Sequence, residues 1–598
     1  MGNRRACRST ATDILRRLST PRARRSCSNT SRPSGATTIP AACSRSITDP
    51  RLGIHAFDYN ADGFLTKDTP PDCAYQSLDR GGILDPTHVA HTTALGRTTN
   101  YAVTFDFDKL SETSWVTPPD GFATTTVTAA DHSTSTTTPD GMLSTTTATP
   151  DPRFGADALA VSSTSKTPSG LTRTVSETRT ATMMSAADPL TLRTLLTQTS
   201  VNGRTSSSTY DGIAKTITQT TAAGRQTVLS LDGLGRVVQI SAPGVPPVVL
   251  HYDSRGRNDT ITQGTRVTTL AYDAAGFLHS VLDPAQHTSL FAYDLAGRPT
   301  AETQPDSSVI GMSYDAAGNT TSVTPPGRPA HVFAFTSGDL ESDYTPPDVG
   351  QPRTTHTDYN LDRQVSNVSR PDGDAITPTY DPAKGRLTAL TTSRGTTSYG
   401  YSPSTGQLSS ITTPDGVGLA YGYDGALLQD ITWSGPVSGN VHKTYDASFR
   451  LASESVTGGQ SINFGYDNDD LLTSAGAMTI TRDPATGFVT ASDLGAIHET
   501  YSYDAYGAEQ THVVTANGTT LYSVDYGVRD ALGRIVNKTE SIQGVTDTYG
   551  YTYHANGRLT DVTKNGVATS HYEYDPTATA LSARVWSPLP STTTRTAC

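Results

Sequence analysis

The phrase Tyr-Asp-x-x-Gly recurs along this chain at an almost fixed interval, and nothing else limits its fold so tightly. It stands at Tyr252, Asp253 and Gly256, then at Tyr272, Asp273 and Gly276. It returns at Tyr293, Asp294 and Gly297, and again at Tyr314, Asp315 and Gly318. Those tyrosines follow one another at 20, 21 and 21 residues. Leu231 and Tyr210 extend the series backwards, and Phe335 extends it forwards. Later members are Tyr359, Tyr380 with Asp381, Tyr401, Tyr423 with Asp424, Tyr445 with Asp446 and Tyr466 with Asp467. Then come Tyr503 with Asp504, Tyr526, Tyr553 with Gly557, and Tyr574 with Asp575. A fixed period of this length marks a repeat architecture and overrides local guesses about fold.

The signature has a physical reading. Asp at the first and Gly at the fourth position suit a type I turn. The carboxylate accepts from backbone N–H groups two residues on. Gly supplies the left-handed conformation through which the chain re-enters a strand as a bulge. Alternating residues follow, as in Phe277 to Val281, then a second turn at Asp283 to His287 and a return strand. One repeat is thus one β-hairpin's worth of chain. Pro-Asp-Gly at Pro119, Pro139, Pro371 and Pro414 marks further turns between Thr-rich runs. Stacked hairpins predict an all-β chain: a long antiparallel sheet of about 17 hairpins between Tyr210 and Tyr574, twisted and coiled because so long a sheet cannot stay flat. Equivalent tyrosines would form a ladder on one face, roughly 9–10 Å apart.

Composition agrees. The chain has 598 residues, more than one core usually fills, yet only 35% are apolar. The net charge of −12 is uneven: residues 1–50 carry ten Arg and two Asp, leaving −20 on the rest. An acidic body argues against nucleic acid as a partner. No apolar run is long enough to span a bilayer. The five cysteines, Cys7, Cys27, Cys43, Cys73 and Cys598, leave the body without a disulfide framework or a Cys-based metal site.

The repeats resemble the YD-repeat, or Rhs (rearrangement hot spot), family. The match is clear over 210–575 and looser over 51–200, through Tyr59 to Lys67 and Gly96 to Asp106. The resemblance implies a β-ribbon spiralling into a hollow shell, which in bacterial relatives encloses a C-terminal toxin. Other relatives are cell-surface adhesion proteins, and an older view gives the repeats a carbohydrate-binding role. The chain departs from the bacterial pattern in having no core segment before a variable C-terminal domain. The expected organisation is an Arg-rich low-complexity segment (1–50), a diverged Thr-rich β region (51–200), the repeat shell (201–575) and a non-repeat tail (576–598). Both end segments have the composition of G+C-rich DNA read out of frame.

Candidate chemistry is sparse. Asp58, Asn60, Asp62 and Gly63 open like a calcium loop, but Thr69 stands where a Glu ligand belongs, so a diverged repeat turn is the expected reading. His88 and His91 would fall on opposite faces of a strand. The repeat aspartates are equivalent turn caps, whereas catalytic carboxylates need environments that separate their pKa values. No catalytic, cofactor-binding or metal-binding residue is expected. The expected function is a non-enzymatic shell, secreted or at the cell surface, that encapsulates or presents an effector absent from this chain. The alternative is an adhesin that binds glycans through the repeats. An unclosed shell leaves sheet edges exposed and predicts poor solubility.

Overall fold

The computed structural model describes residues 45–80, 88–185, 188–348, 350, 353–574 and 580–585. Asp575 and the segments 1–44 and 586–598 lie outside these residues. The described residues form 49 strands and no helix, numbered here from β1 (Ser46–Thr48) to β49 (Ala580–Val585). Each strand pairs antiparallel with the next in sequence, from β1 through to β49. The sheet is therefore one meander, and its first and last strands do not pair with each other. Between β14 (Arg204–Asp211) and β48 (Val567–Tyr574) it takes 34 strand steps, or 17 hairpins.

The turns follow from the signature. In the Asp253 turn, the Asp253 N–H donates to the Arg257 carbonyl at 2.8 Å and the Gly256 N–H returns to the Asp253 carbonyl at 2.9 Å. Asp253 Oδ1 accepts from the N–H groups of Arg255 (2.8 Å) and Arg257 (3.0 Å). Gly256 sits at φ +83°, and the register shifts between His251 and Tyr252. A side chain in that conformation clashes with its own carbonyl, so Gly256→Ala should lose about 1–2 kcal/mol, read as a lower thermal midpoint. The candidate calcium loop is such a turn, with Asn60 in the aspartate's place: its Oδ1 accepts from Asp62 N (3.1 Å) and Phe64 N (2.9 Å).

The sheet is a single layer. Along β20 (Arg266–Tyr272), Thr268, Leu270 and Tyr272 are half-buried on one face, while Val267, Thr269 and Ala271 are exposed on the other. Among the described residues only Ala74, Val89, Ala160 and Val524 are buried apolar side chains. Stability cannot come from a central core. It must come from ladder bonds, from contacts between neighbouring hairpins, and from whatever holds distant parts of the ribbon together.

What holds them is a seam between two coils. Arg97, in the turn between β5 (His88–Thr93) and β6 (Thr98–Asp106), bonds Asp362, in the turn between β28 (Thr355–Tyr359) and β29 (Val365–Ser369). From 5 to 28 is a step of 23 strands. Arg225, between β15 (Thr216–Thr220) and β16 (Gln226–Leu231), meets Asp467, between β38 (Ile462–Tyr466) and β39 (Leu472–Ala475), again 23 strands on. Asp306, between β23 (Pro299–Thr303) and β24 (Val309–Tyr314), meets Asn556, between β46 (Val545–Tyr553) and β47 (Leu559–Lys564), at the same step. Arg97 also reaches the Pro382 carbonyl in the next repeat turn, between β30 (Ala375–Tyr380) and β31 (Leu387–Thr392), a step of 25. Each first-coil turn thus nests between two second-coil turns.

A period of 24 strands results. The odd steps have a simple cause. Turns alternate between the two rims of a meander, and a ribbon that climbs by its own width must set one rim against the other. At about 4.8 Å per strand, 24 strands give a coil about 115 Å round and roughly 35 Å across. Packed sheets lie about 10 Å apart, so this wall encloses space and not a core. The 49 strands make two coils.

Candidate functional site: the repeat clamp and the inter-coil seam

Between one repeat and the next, the ladder is short. Gln239 and Ile240 pair with Val249 and Val248, and there it stops. The strands splay towards the Tyr-Asp turns, leaving the carbonyl of the first strand residue after the turn beyond the ladder. The repeat tyrosine closes this gap. Tyr252 Oη donates to the Val237 carbonyl at 2.8 Å, and Tyr272 Oη to the Asn258 carbonyl at 2.6 Å. The same bond is made by Tyr314, Tyr359, Tyr401, Tyr423, Tyr445, Tyr466, Tyr503, Tyr553 and Tyr574, at 2.6–3.0 Å. Burial raises the phenol pKa of Tyr423, Tyr445 and Tyr553, which keeps the donor protonated.

In several repeats an arginine directly after the positive-φ residue of the turn completes the clamp. Arg257 pairs with Asp253 of its own turn at 2.7 Å, and its guanidinium lies 4.1 Å from the ring centre of Tyr272 in the next repeat. Arg236 over Tyr252, Arg298 over Tyr314, Arg450 over Tyr466 and Arg534 over Tyr553 repeat the arrangement. In the Asp273 repeat Phe277 takes the arginine's place and stacks on Tyr293 at 5.1 Å. Asp253 is held down at about 2, chiefly by the Arg257 backbone N–H and then by its guanidinium.

The structure sorts the signature residues into these roles. Asp294, Asp446 and Asp504 each accept two backbone N–H bonds within their own turns. Asp273 and Asp315 do so through the third and fourth residues on, and Asp381 through the second and third. Gly276, Gly297, Gly318 and Gly557 all have positive φ. Tyr210 pairs with Leu195 and Ile217, and Tyr380 forms the bulge opposite Leu387. Asp424 differs: it is buried and accepts from Ser169 N (2.9 Å) and Ser169 Oγ (2.5 Å) across the seam. His91 hydrogen-bonds Gln76 at 3.0 Å, a cross-strand contact with no second histidine.

The seam is polar. Arg97 Nη1 bonds Asp362 Oδ2 at 2.8 Å and Gln364 Oε1 at 2.5 Å, with both members of the ion pair 7% exposed. Arg225 reaches Asp467 at 2.7 Å and also pairs with Asp469. Arg386 pairs with Asp120, and Arg204 with Asp470. A cleft of about 500 Å³ opens here, lined by Thr197, Ser206, Ser208, Arg204, Arg225 and Asp469. Sequence reading did not find these pairs, because no local pattern links residues some 250 apart. One signal was present: the second turns up to about residue 306 are rich in Arg and Asp, and those after about residue 430 are not.

Burial pushes the Asp467 and Asp469 carboxyls up, but Arg225 and the adjoining donors outweigh it and hold both down. Burial acts likewise on Asp306, which Ser308 and Asn556 hold at about 2. Folded values below the ordinary 3.8 mean that the stabilisation is complete above that pH and is lost as pH falls through the depressed values. The coils should separate between about pH 4 and pH 2 while the strand signal survives, seen as a rising radius of gyration under an unchanged β-sheet circular dichroism band.

A single-layer ribbon, clamped repeat to repeat and docked coil to coil, defines a repeat-built β-shell protein. The chain belongs to the Teneurin YD-shell family, whose model matches residues 8–584. Similar solved structures include a Tc holotoxin pore of Photorhabdus luminescens carrying the TccC3-D651A mutation, with 12% identity, TM-score 0.38, and 90% of this chain matched to 30% of that one. A crystal structure of TcdB2-TccC3-Cdc42 also matches, with 12% identity, TM-score 0.39, and 89% of this chain against 34% of that one. The chain therefore spans about a third of the length of those two chains. No curated protein matches it. Among the described residues no helix is long and apolar enough to cross a membrane.

Proposed function

We propose that this chain is a non-catalytic wall whose work is to encapsulate or present an effector domain, secreted or at the cell surface. The observation that carries this reading is the geometry of the ribbon: two docked coils of one sheet layer, roughly 35 Å across, around space that no core fills. Residues 51–200 and 201–575 act as one ribbon, which β1 and β49 extend into the flanking segments 1–50 and 576–598. The clamp weakens the adhesin reading. Sugar stacking needs a free aromatic face, and Tyr252, Tyr272, Tyr314, Tyr466 and Tyr553 lie against arginine and are tied by their hydroxyls.

A small folded reporter joined after Cys598 tests the reading. Protease should spare the reporter in the intact chain and cleave it in a variant whose seam is broken at Arg97. Equal cleavage of the two would overturn the encapsulating role, and scattering that shows a solid particle would overturn the wall itself.

A further inference from the structure

Four of the gaps between repeats are bridged a second time, on the face away from the repeat tyrosine. Asp343 of β27 (Glu341–Thr345) stands directly opposite His356 of β28 in the ladder. Asp430 of β35 (Leu427–Ser434) stands opposite His442 of β36 (Gly439–Tyr445), and Asp493 of β41 (Val489–Leu494) opposite His498 of β42 (Ile497–Tyr503). Asp561 of β47 stands opposite His571 of β48. In these pairs Nδ1 meets the carboxylate at 2.7, 2.9, 2.6 and 2.6 Å. Each histidine comes three or five residues before the repeat tyrosine, so alternation sets it on the other face. The same strand pairs are tied by the hydroxyls of Tyr359, Tyr445, Tyr503 and Tyr574. The bridges fall where the close guanidinium is missing. The residue after the positive-φ position of the preceding turn is Leu340 ahead of Tyr359, Ala426 ahead of Tyr445 and Phe488 ahead of Tyr503. Ahead of Tyr574 it is Arg558, 5.7 Å from the ring centre. The gaps closed by Tyr252, Tyr272, Tyr314, Tyr401, Tyr466 and Tyr553 have an arginine at 4.1–5.1 Å and, among the described residues, no histidine bridge. His251 also meets Asp259, but inside one hairpin and not between repeats.

We propose that the histidine–aspartate pair is a proton-operated form of the clamp, which tightens these repeats of the second coil in mild acid and slackens them at neutral pH. A protonated imidazole makes an ion pair across the gap, and a neutral one makes a single ordinary hydrogen bond. Little else titrates around the four. On the far side His356 faces Ser369, His442 faces Ser455 and His498 faces Thr515. Asp358 adds a second carboxylate 3.1 Å from His356. Glu573 lies 3.8 Å from His571, and Arg584 stands opposite it in register. The Asp343 hydrogen bond raises the His356 pKa against burial, and His356 in turn holds Asp343 down. A raised imidazole gives stability that is present below the unfolded value, about 6.5, and is lost as pH rises through the folded one. That window lies above the one in which the seam fails.

Hydrogen exchange of the full chain at about pH 5.5 and about pH 7.5, either side of the ordinary imidazole value, reads this out. The rates are compared as protection factors, which divide out the pH dependence of the bare amide. Amides flanking the four bridged gaps should be about two- to fivefold better protected in mild acid, the range for exposed ion pairs. Amides flanking the arginine-closed gaps at Tyr401 and Tyr466, in the same coil, should not change. His442→Gln and His498→Gln keep a neutral hydrogen bond to the aspartate but cannot take the proton. Each should abolish the pH response at its own gap and leave the response at His356 intact. No response at the bridged gaps, an equal response at the arginine-closed gaps, or a response that survives at the substituted gap would each overturn the proposal.

Discussion

Replacing Arg97 by alanine should pull the two coils apart while leaving nearly every strand intact. Arg97 bridges two successive repeat turns of the second coil, through Asp362 and Gln364 in one and the Pro382 carbonyl in the other. Both charges of the Arg97–Asp362 pair are almost fully buried. Removing one partner leaves the Asp362 carboxylate dehydrated and uncompensated, a loss of about 3–5 kcal/mol. The cost falls on the docking of coils and not on the ladder, because ladder bonds link only neighbours in sequence. Hydrogen exchange should quicken in the turns 93–97 and 360–364 and stay slow in the strands between. Arg97→Lys keeps the charge but cannot hold Asp362, Gln364 and Pro382 together, and should recover only part of the loss. Uniform quickening along the whole ribbon would show that the seam is not a separate cooperative unit.

The split between what was readable and what was not follows the range of each interaction. The hairpin, its turn and its bulge are written within five residues, so Tyr252, Asp253 and Gly256 announce them directly. The hydroxyl bond of Tyr252 to the Val237 carbonyl reaches back 15 residues, less than one repeat. The period implied a neighbour there but not which atom it offered. Arg257 was visible only as a recurring letter after glycine; its place between Asp253 and Tyr272 needs the distance between strands. The seam depends on a closure length of 24 strands, set by the twist and coil of the whole sheet. No residue encodes that number locally, and so Arg97, Arg225 and Asp362 could not be paired in advance. Asp424 shows the limit well. It carries the repeat letters, yet its carboxylate serves Ser169 in the other coil.

The two kinds of contact divide the labour of a hollow wall. A globular domain buries apolar side chains against a second layer; this ribbon has none over most of its length. Its hairpins must be held by contacts that lie within the sheet surface, and the clamp answers with an aromatic ring and a hydroxyl bond in most repeats, joined by a guanidinium in several of them. Each is modest, and their repetition makes the strength of the wall nearly additive along the chain, as in other repeat arrays. The seam then fixes curvature, since nesting of turns allows a period of 24 strands and disfavours its neighbours.

Tyr272 is where the clamp can be tested most cleanly, because three contacts converge on it. Its hydroxyl donates to the Asn258 carbonyl at 2.6 Å, its ring lies under Arg257 at 4.1 Å, and that arginine is tied to Asp253. Tyr272→Phe removes only the donor and leaves a half-buried carbonyl unpaired, a loss of about 1–2 kcal/mol. Tyr272→Ala removes the ring as well. Full burial of an aromatic would make that loss about 3–5 kcal/mol, and half-burial in a single layer puts it near 3. The larger variant should also free Arg257, so a subsequent Arg257→Ala should cost less in the Tyr272→Ala background than in wild type. That difference is the coupling energy of the pair, about 1 kcal/mol for a partly exposed cation over a ring. Additive losses would mean that the arginine serves its own turn alone, and that the ladder of repeats is held by backbone bonds and the tyrosine hydroxyl without it.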